Sequence, residues 1–481
     1  MAAYYVCSMA GVSGQYWART SSESDYMEAT IDGRKGMSIN WEGSAITRPR
    51  LVVKPERISE LVDIVKNEKK YPAPVRAVGF QHSITRCAVA DGGTIIDMRN
   101  FNRILEFGQG HVRVQAGVRI YDLVKALSSR GLQLCACPEF GDISAGSVAC
   151  TSNRYISSRG ILGQISSTVV AMKLVTPQGT KLDVTAKQPD MLNIMRSSFG
   201  LLGIVYEVTF AVRDKIGFVV ERRQMDLDEL SLAMAGLNID GTGVRLTLYP
   251  FYNKAQLEIR HSVKLESKTR QWVPSLRAWG WNCCMPFVAQ LLKRLVPGSG
   301  LRGKQLDILL FQAQKRFARL FHERTAEMSA VCLPRCRLPK WGRCTYTTWA
   351  FPADDFPLLI EKYVAFCRLY KRAHGFRCDL PTQAVFVPKD PASLLSYAAD
   401  GNVFTLDVFS TGGRGWDDFL IDLNLFCSAN GGVPLLNQTK LLSQRQAVRG
   451  LGRRLMTFKR LRRNVDRNNR LSSTFYQPLV G

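Results

Sequence analysis

No uncharged apolar run in this 481-residue chain reaches the roughly 18 to 20 residues that a membrane-spanning helix needs. The longest, Ala278 to Leu292, is broken by Pro286 and bounded by Arg277 and Lys293. The opening "MAAYYVCSMAGVSG" lacks the basic start and sustained apolar core of a secretion signal, so a cytoplasmic location is the expectation. Internal repeats and low-complexity tracts are also missing. Acidic residues are short, 40 against 65 Lys and Arg, and the resulting net charge of +25 favours an acidic partner: nucleic acid, anionic lipid or a phosphorylated substrate. The charge alone does not choose among them. Histidine is scarcer still, with five in the whole chain.

Thirteen cysteines are present, an odd number scattered through a long chain, which fits reduced thiols better than a disulfide framework. Cys332, Cys336 and Cys344 with His322 can be drawn as a metal site. Their C-x3-C spacing is loose and no second tight pair follows, so buried structural thiols are expected and no metal.

The length implies two or three domains of soluble, globular composition. "PERISELVDIVKNEKK" carries Ile58, Leu61, Val62 and Val65 on one helical face, opened by Pro55. "APVRAVG" and "GTIIDM" read as short buried strands, and "HVRVQAG" alternates Val112, Val114 and Ala116 as a half-buried strand does. "IYDLVKALSSRG" returns to helical spacing and stops at Gly131. "STVVAMKLV" turns through "TPQG" into "TKLDV" as a hairpin, and an alternating strand ends near Arg213. Beyond it, "GVRLTLYPFYNKAQLEIRHSV" and "NVFTLDVFST" alternate over long stretches, and "DDFPLLIEKYVAFCRLYKRA" is an amphipathic helix. This predicts a second domain built on an antiparallel sheet with helices packed on it.

An insertion at 272–324 interrupts those strands. It holds Trp272, Trp279 and Trp281, then a helix with Leu306, Leu309, Leu310, Ala313, Phe317, Leu320 and Phe321 on one face and Lys304, Lys315, Arg316, Arg319 and Arg324 nearby. Aromatics beside a basic amphipathic helix suit a membrane surface. Packing of the same stripe against the sheet explains it equally simply and is the favoured reading. A further ten basic residues against one Asp lie between Gln444 and Arg470.

The stretch "VRAVGFQHSIT" places His82 at the end of a glycine turn after an apolar strand. Gly79 lets the chain pass close to another group, and the turn's backbone N–H groups suit a pyrophosphate. The dinucleotide pattern G-x-G-x-x-G is absent, so by itself the loop reads better as an ordinary turn with a solvent-exposed histidine.

The segments around and beyond this turn are more specific. "PVRAVGFQHS", "DGGTIIDMRNFNRIL", "VRVQAGVRIYDLVKALSSRGL", "GDISAGSVACTSNRYISSRGILGQI" and "VVAMKLVTPQG" succeed one another as in the flavin-binding domain of the vanillyl-alcohol-oxidase superfamily, which the chain resembles. The resemblance is strongest to the aldonolactone and alditol oxidase branch. It spans roughly Asn40 to Arg213, with "GGVPLLNQTK" and "RLRRNVDRNNRLSSTFYQPL" near the end of the chain. It implies an α+β fold: an N-terminal arm (1–40), a PCMH-type FAD-binding domain of two subdomains (41–213), an antiparallel-sheet cap flanked by helices (214–430), and a segment returning to the FAD domain (431–481).

The resemblance also implies a cofactor and its contacts. FAD lies extended between the subdomains, with its pyrophosphate on the loop Val78, Gly79, Phe80, Gln81, His82, Ser83. The histidine at the position of His82 commonly carries the flavin covalently through its 8α carbon. In the second loop, where relatives have a G-T-H-G-like run, this chain has "TSNRY", with Arg154 near the histidine position. That cation suits negative charge on the reduced flavin, or a phosphate. Ser144, Ser147, Thr151, Ser152 and Asn153 offer hydroxyl and amide groups to the flavin, and Ile204, after Gly203, matches a backbone contact at the adenine end.

On the substrate side the resemblance implies oxidation of a CH–OH group of a polyol, sugar derivative, lactone or secondary metabolite, with electrons passing to oxygen or another acceptor. Relatives often place a Glu and an Arg on cap strands. Here Thr347 and Thr348 in "TYTTWAFP", and Gln383 and Val385 in "PTQAVFV", stand instead. "VPLLNQTK" retains Lys440, the leading candidate for orienting the reacting oxygen or taking its proton, with Asn437 and Gln438 beside it. Losing the acidic partner argues against ordinary sugar-lactone oxidation, leaves open a more apolar or lipid-linked donor, and supports one rival, flavin-dependent C–C desaturation or reduction on a lipid or natural product. The charged C-terminal region supports another, a non-catalytic basic membrane- or nucleic-acid-binding protein on the same fold. The partners expected are a small alcohol-type donor, an electron acceptor and a peripheral membrane contact through 272–324; nucleic acid is not expected.

Overall fold

The computed structural model describes residues 31–32, 37–155, 163–235, 242–264, 288–291, 295, 299–320, 326–327, 332 and 344–480. Strands β1 (Ile31–Asp32), β2 (Met37–Ile39) and β3 (Ile46–Thr47) form a small antiparallel ladder ahead of the first subdomain. In that subdomain β4 (Leu51–Val53), helix α1 (Ile58–Lys66), β5 (Val75–Val78) and β6 (Thr94–Asp97) make a parallel sheet in the order β4-β6-β5. All of "TIID" is buried, as a parallel strand covered on both faces requires. Helix α1 buries Leu61, Ile64 and Val65; Ile64 takes the central place that the spacing gave to Val62.

The second subdomain runs β7 (Ile104–Gly108), β8 (His111–Gln115), α2 (Ile120–Ser128), β9 (Leu132–Leu134), α3 (Ala145–Cys150), β10 (Val169–Val175), β11 (Lys181–Thr185), α4 (Pro189–Met195) and β12 (Ile204–Asp214). Its sheet has the order β11-β10-β12-β8-β7, with β9 on the far end of β12. The hairpin partner β7 escaped the sequence reading because none of its residues is fully buried, so no alternation marks it.

The cap comprises β13 (Gly217–Asp226), α5 (Leu227–Ala235), β14 (Gly243–Tyr249), β15 (Lys254–Val263), α6 (Ser299–Leu320), β16 (Ala326–Glu327), β17 (Thr345–Pro352), α7 (Phe356–His374), β18 (Thr382–Val387), β19 (Val403–Ser410), α8 (Trp416–Ala429) and β20 (Val433–Pro434). Its eight strands pair antiparallel in the order β16-β13-β15-β14-β18-β19-β17-β20. The period of two gives this sheet two unlike faces. Leu246, Ala384, Leu406 and Trp349 stand in one cross-strand row and pack with Phe356, Tyr363 and Phe419 of α7 and α8. Each fully buried side chain of that size contributes about 1.5–3 kcal/mol. The next row, Thr247, Gln383, Asp407 and Thr348, points to the opposite side, where Asp407 meets Arg154 of the second subdomain and Thr247 accepts from Gln314 of α6 at 3.5 Å.

Helix α6 buries Leu306, Leu310 and Phe311 with Tyr249 and Leu380, so its stripe packs on the cap, as favoured from the sequence; Leu309 stays exposed. Trp272, Trp279, Trp281, Phe321, His322, Arg324 and Cys336 lie outside the described residues, as do the side chains of Phe317, Arg319 and Leu320. No helix among the described residues is long and apolar enough to cross a membrane. Helices α9 (Gln444–Val465) and α10 (Gln477–Val480) end the chain. This last segment is tied to the first subdomain: the Val75 amide donates to the Arg470 carbonyl (2.8 Å), Arg76 donates to the Leu471 carbonyl (2.8 Å), and Arg470 donates to the Ile64 and Val65 carbonyls at the end of α1.

Candidate active site

One cavity of about 300 Å³ lies among the two subdomains and the polar face of the cap. Its first wall is the loop after β5. An added Cβ on Gly79 would stand 2.3 Å from Ser144 Oγ, so only glycine lets this loop rest on the start of α3. Ser144 caps that helix, its hydroxyl meeting the Ser147 amide (3.4 Å) and hydroxyl (2.8 Å). Gln81 sits at φ 51°, a left-handed conformation unusual for a side chain larger than asparagine.

The segment around β2 holds that conformation. The Gln81 amide and Ser38 hydroxyl bond at 2.8–3.0 Å, Asn40 Nδ2 donates to the Ser83 carbonyl (3.0 Å), and Trp41 Nε1 donates to the His82 carbonyl (2.9 Å). The Trp41 indole stacks on the His82 ring with centroids 6.4 Å apart. Ser38 and Asn40, at the end of the expected arm, together with Trp41 therefore clamp the loop that carries the imidazole. His82 is half-buried and lines the cavity.

The second wall is the stretch after α3, met by Asn437 and Gln438. Both amides donate to the Ser152 carbonyl at 3.0 Å, and Gln438 Oε1 accepts from Arg154 Nη1 at 3.0 Å. Arg154 Nε then reaches Asp407 Oδ2 at 2.9 Å, joining the flavin-type loop to the cap. Asp407 is fully buried and also accepts from Thr348 (2.7 Å) and Thr405 (3.2 Å). Burial lifts its carboxyl above the usual range, against the pull of Arg154 and the two threonines. Burial opposes the Arg154 charge, but Asp407, Tyr346 and Glu139 outweigh it and hold the guanidinium above its ordinary value.

A second charged group flanks this pair. Arg245, on β14 opposite Val385, donates to Glu139, and Arg260 stands 3.5 Å from the same carboxylate. Arg260 and Arg222 bind Glu258 at 3.0 and 3.2 Å. Burial pushes the Glu258 carboxyl up, but Arg222, Arg260 and Arg245 override it and hold it down at about 2. Glu139 is likewise lowered, with Arg245 and Arg260 overcoming burial.

Of the sequence-predicted residues, Val78, Gly79, Phe80, Gln81, His82, Ser83, Ser144, Ser147, Thr151, Asn153, Arg154, Gln383 and Asn437 line the cavity. Ser152 takes part only through its carbonyl, and Ile204 is buried between the lining residues Gly203 and Val205. Lys440 is not brought to the cavity: its ammonium binds Glu42 at 2.6 Å, Thr345 at 3.1 Å and Ser44 at 3.2 Å. Asp407, Arg245, Glu139, Tyr346 and Trp41 were missed. Their signal was available: Arg245 in "VRLTLY" and Asp407 in "FTLDVF" are charges at the polar beat of otherwise apolar alternation.

Asn437 is 4% exposed and its Oδ1 has no donor among the described residues. An orphaned acceptor in a cavity suits an N–H or O–H of a bound molecule, and the bare backbone at Gly79 and Gly203 suits close approach. These features fit FAD. Val78–Ser83 and Ser144–Asn153 would hold it, with Asn437 and Arg154 at its edge.

Comparison with known proteins agrees. Residues 49–185 match the model of the FAD binding domain family. The chain is 32% identical over 173 residues to L-gulono-1,4-lactone dehydrogenase of Mycobacterium tuberculosis, 35% of this chain and 39% of that protein. It is 25% identical over 236 residues to D-arabinono-1,4-lactone oxidase of Candida glabrata, 47% of this chain and 44% of that one. The match thus spans less than half of either relative. A solved solvent-stable cholesterol oxidase superposes with a TM-score of 0.73 at 16% identity, covering 93% of this chain and 97% of that one, which shows a shared fold.

Proposed function

We propose that the chain is an FAD-dependent oxidoreductase acting on a CH–OH group of a polyol, sugar derivative or lactone. The observation that carries the reading is the Arg154–Asp407 pair, which puts a cation and a carboxylate where the flavin-type loops meet the polar face of the cap. Bound FAD supplies a hydride acceptor, re-oxidised by oxygen or another acceptor. The protein's part is to bind and orient. Gln383, Arg245 and Tyr346 line the cap side, where they meet hydroxyls of a donor. Arg154 is the group that polarises the reacting oxygen, and Asp407, too buried to exchange protons with solvent, keeps it aimed. Gln438 and Asn437 hold the Ser152 carbonyl and with it the loop that carries Arg154. Lys440 is a strut between Glu42 and β17.

Sequence relatives that act on sugar lactones support the donor class, and the polar side chains of Gln383, Arg245 and Tyr346 in the cavity suit a hydroxylated ring. His82 is the attachment point for a covalent flavin, presented by Trp41. Acid precipitation tests this: the pellet of the wild type should stay yellow, and the His82→Ala pellet should be colourless while the native variant still folds. A colourless wild-type pellet would refute the covalent bond. Anaerobic bleaching of the flavin by a panel of polyols, lactones, hydroxy acids and prenyl-linked sugars tests the donor class, and no bleaching by any of them would refute it.

A further inference from the structure

Helix α9 concentrates the chain's positive charge on one side. Its inner face buries Ala447, Leu451, Leu455 and Phe458. Three of the ten basic residues between Gln444 and Arg470 serve the fold: Arg454 binds Asp400 at 3.0 Å, Arg462 donates to Asn469 at 2.5 Å, and Arg470 holds the Ile64 and Val65 carbonyls. The outer face exposes Arg445, Arg449, Arg453, Arg460 and Arg463, and Arg467 is exposed just past the helix end. Their spacing repeats the helical interval, with Met456 in the one gap, 52% exposed. Gly452 breaks the helix at φ 54°, yet both halves keep their arginines on the solvent side. Among the described residues no ion pair engages Arg445, Arg449, Arg453, Arg460 or Arg467.

Like charges at i, i+4 repel, so folding alone gives no reason for such a row. The surroundings say what it faces. Leu441, 52% exposed, precedes the helix. Asn424 of α8 holds the Lys440 and Leu441 carbonyls at 2.8 and 3.2 Å, and α8 exposes Ile421 and Leu425. Cations with the protruding Met456 among them and Leu441 just before them match a bilayer's anionic headgroups above its acyl boundary. A nucleic acid fits less well: no exposed aromatic stands in the stripe for base stacking, and the helix is fastened along its length and cannot enter a major groove.

We propose that this face of α9 docks on an anionic phospholipid surface, with the arginines on lipid phosphates and Met456 and Leu441 entering the acyl boundary. The proposal is independent of the reaction in the cavity. Co-sedimentation of the flavin-loaded full chain with phosphatidylcholine vesicles, with and without about one-third phosphatidylserine, tests it. Binding should require the anionic lipid and fall as salt rises. Arg449→Glu with Arg453→Glu and Arg460→Glu should lower partitioning about a hundredfold. The corresponding glutamine triple variant should fall less, and both should retain flavin and helical content. Met456→Gln with Leu441→Gln should weaken binding severalfold. Equal binding to neutral vesicles, no vesicle binding, or wild-type binding by both triple variants would overturn the proposal. So would tighter binding to duplex DNA or RNA than to anionic vesicles at the same salt.

Discussion

The two walls of the cavity are built by opposite means. The flavin-type wall is backbone and small side chains: Gly79 against Ser144, Gln81 in a left-handed turn, and a loop carbonyl held by Asn437 and Gln438. The cap wall is side chains on rigid strands, with Arg245, Gln383 and Tyr346 lining the cavity and the buried Asp407, held by Thr348 and Thr405, behind Arg154, on a sheet whose other face is an apolar core. A backbone cradle suits one invariant ligand. A side-chain array on a fixed sheet can be exchanged residue by residue, which is where a donor is selected.

That contrast breaks most sharply at Arg154. Arg154→Gln leaves Asp407 buried without its cation, and should cut the rate of flavin reduction by about 10²–10³-fold and cost about 3 kcal/mol in thermal unfolding. Asp407→Asn should slow reduction less and leave the flavin spectrum intact. On the other wall, Gly79→Ala forces a Cβ onto Ser144 and should cost about 1–3 kcal/mol, read as flavin lost on gel filtration. Ser144→Gly in the same chain should restore part of that retention. Lys440→Met should leave reduction close to wild type while lowering the melting temperature, because Glu42 keeps a buried carboxylate. A collapse of turnover there would return the proton-taking role to Lys440. The smallest effect is in acid. The Glu258 carboxyl is depressed from 4.5 to about 2, so the stability it contributes is complete above pH 4.5 and is lost as pH falls toward 2. Glu258→Gln should flatten that part of an acid-unfolding curve.

The difference between the walls also explains what could be read from the chain. The flavin-type loops are contiguous and ordered, so "VRAVGFQHSIT" and "GDISAGSVACTSNRY" announced the two largest groups of lining residues that are close together in sequence. The cap site is assembled across β14, β18, β19 and β17, whose register depends on pairing far apart in sequence. Thr348 and Gln383 each face Asp407 across a strand pair, so the carboxylate sought at their positions stands between them. Lys440 misled for the same reason. Its place in the chain matched a motif, while Glu42, nearly 400 residues earlier, determines where its ammonium goes.

The central claim is that a CH–OH donor reacts between these walls under the Arg154–Asp407 pair. Anaerobic mixing of the flavin-loaded protein with the donor panel, monitored at the flavin absorbance maximum, tests it most directly. Bleaching by at least one polyol, lactone or hydroxy acid, slowed about a hundredfold or more in Arg154→Gln, is the predicted result. Bleaching that proceeds at the wild-type rate in Arg154→Gln, with flavin still bound, would contradict it.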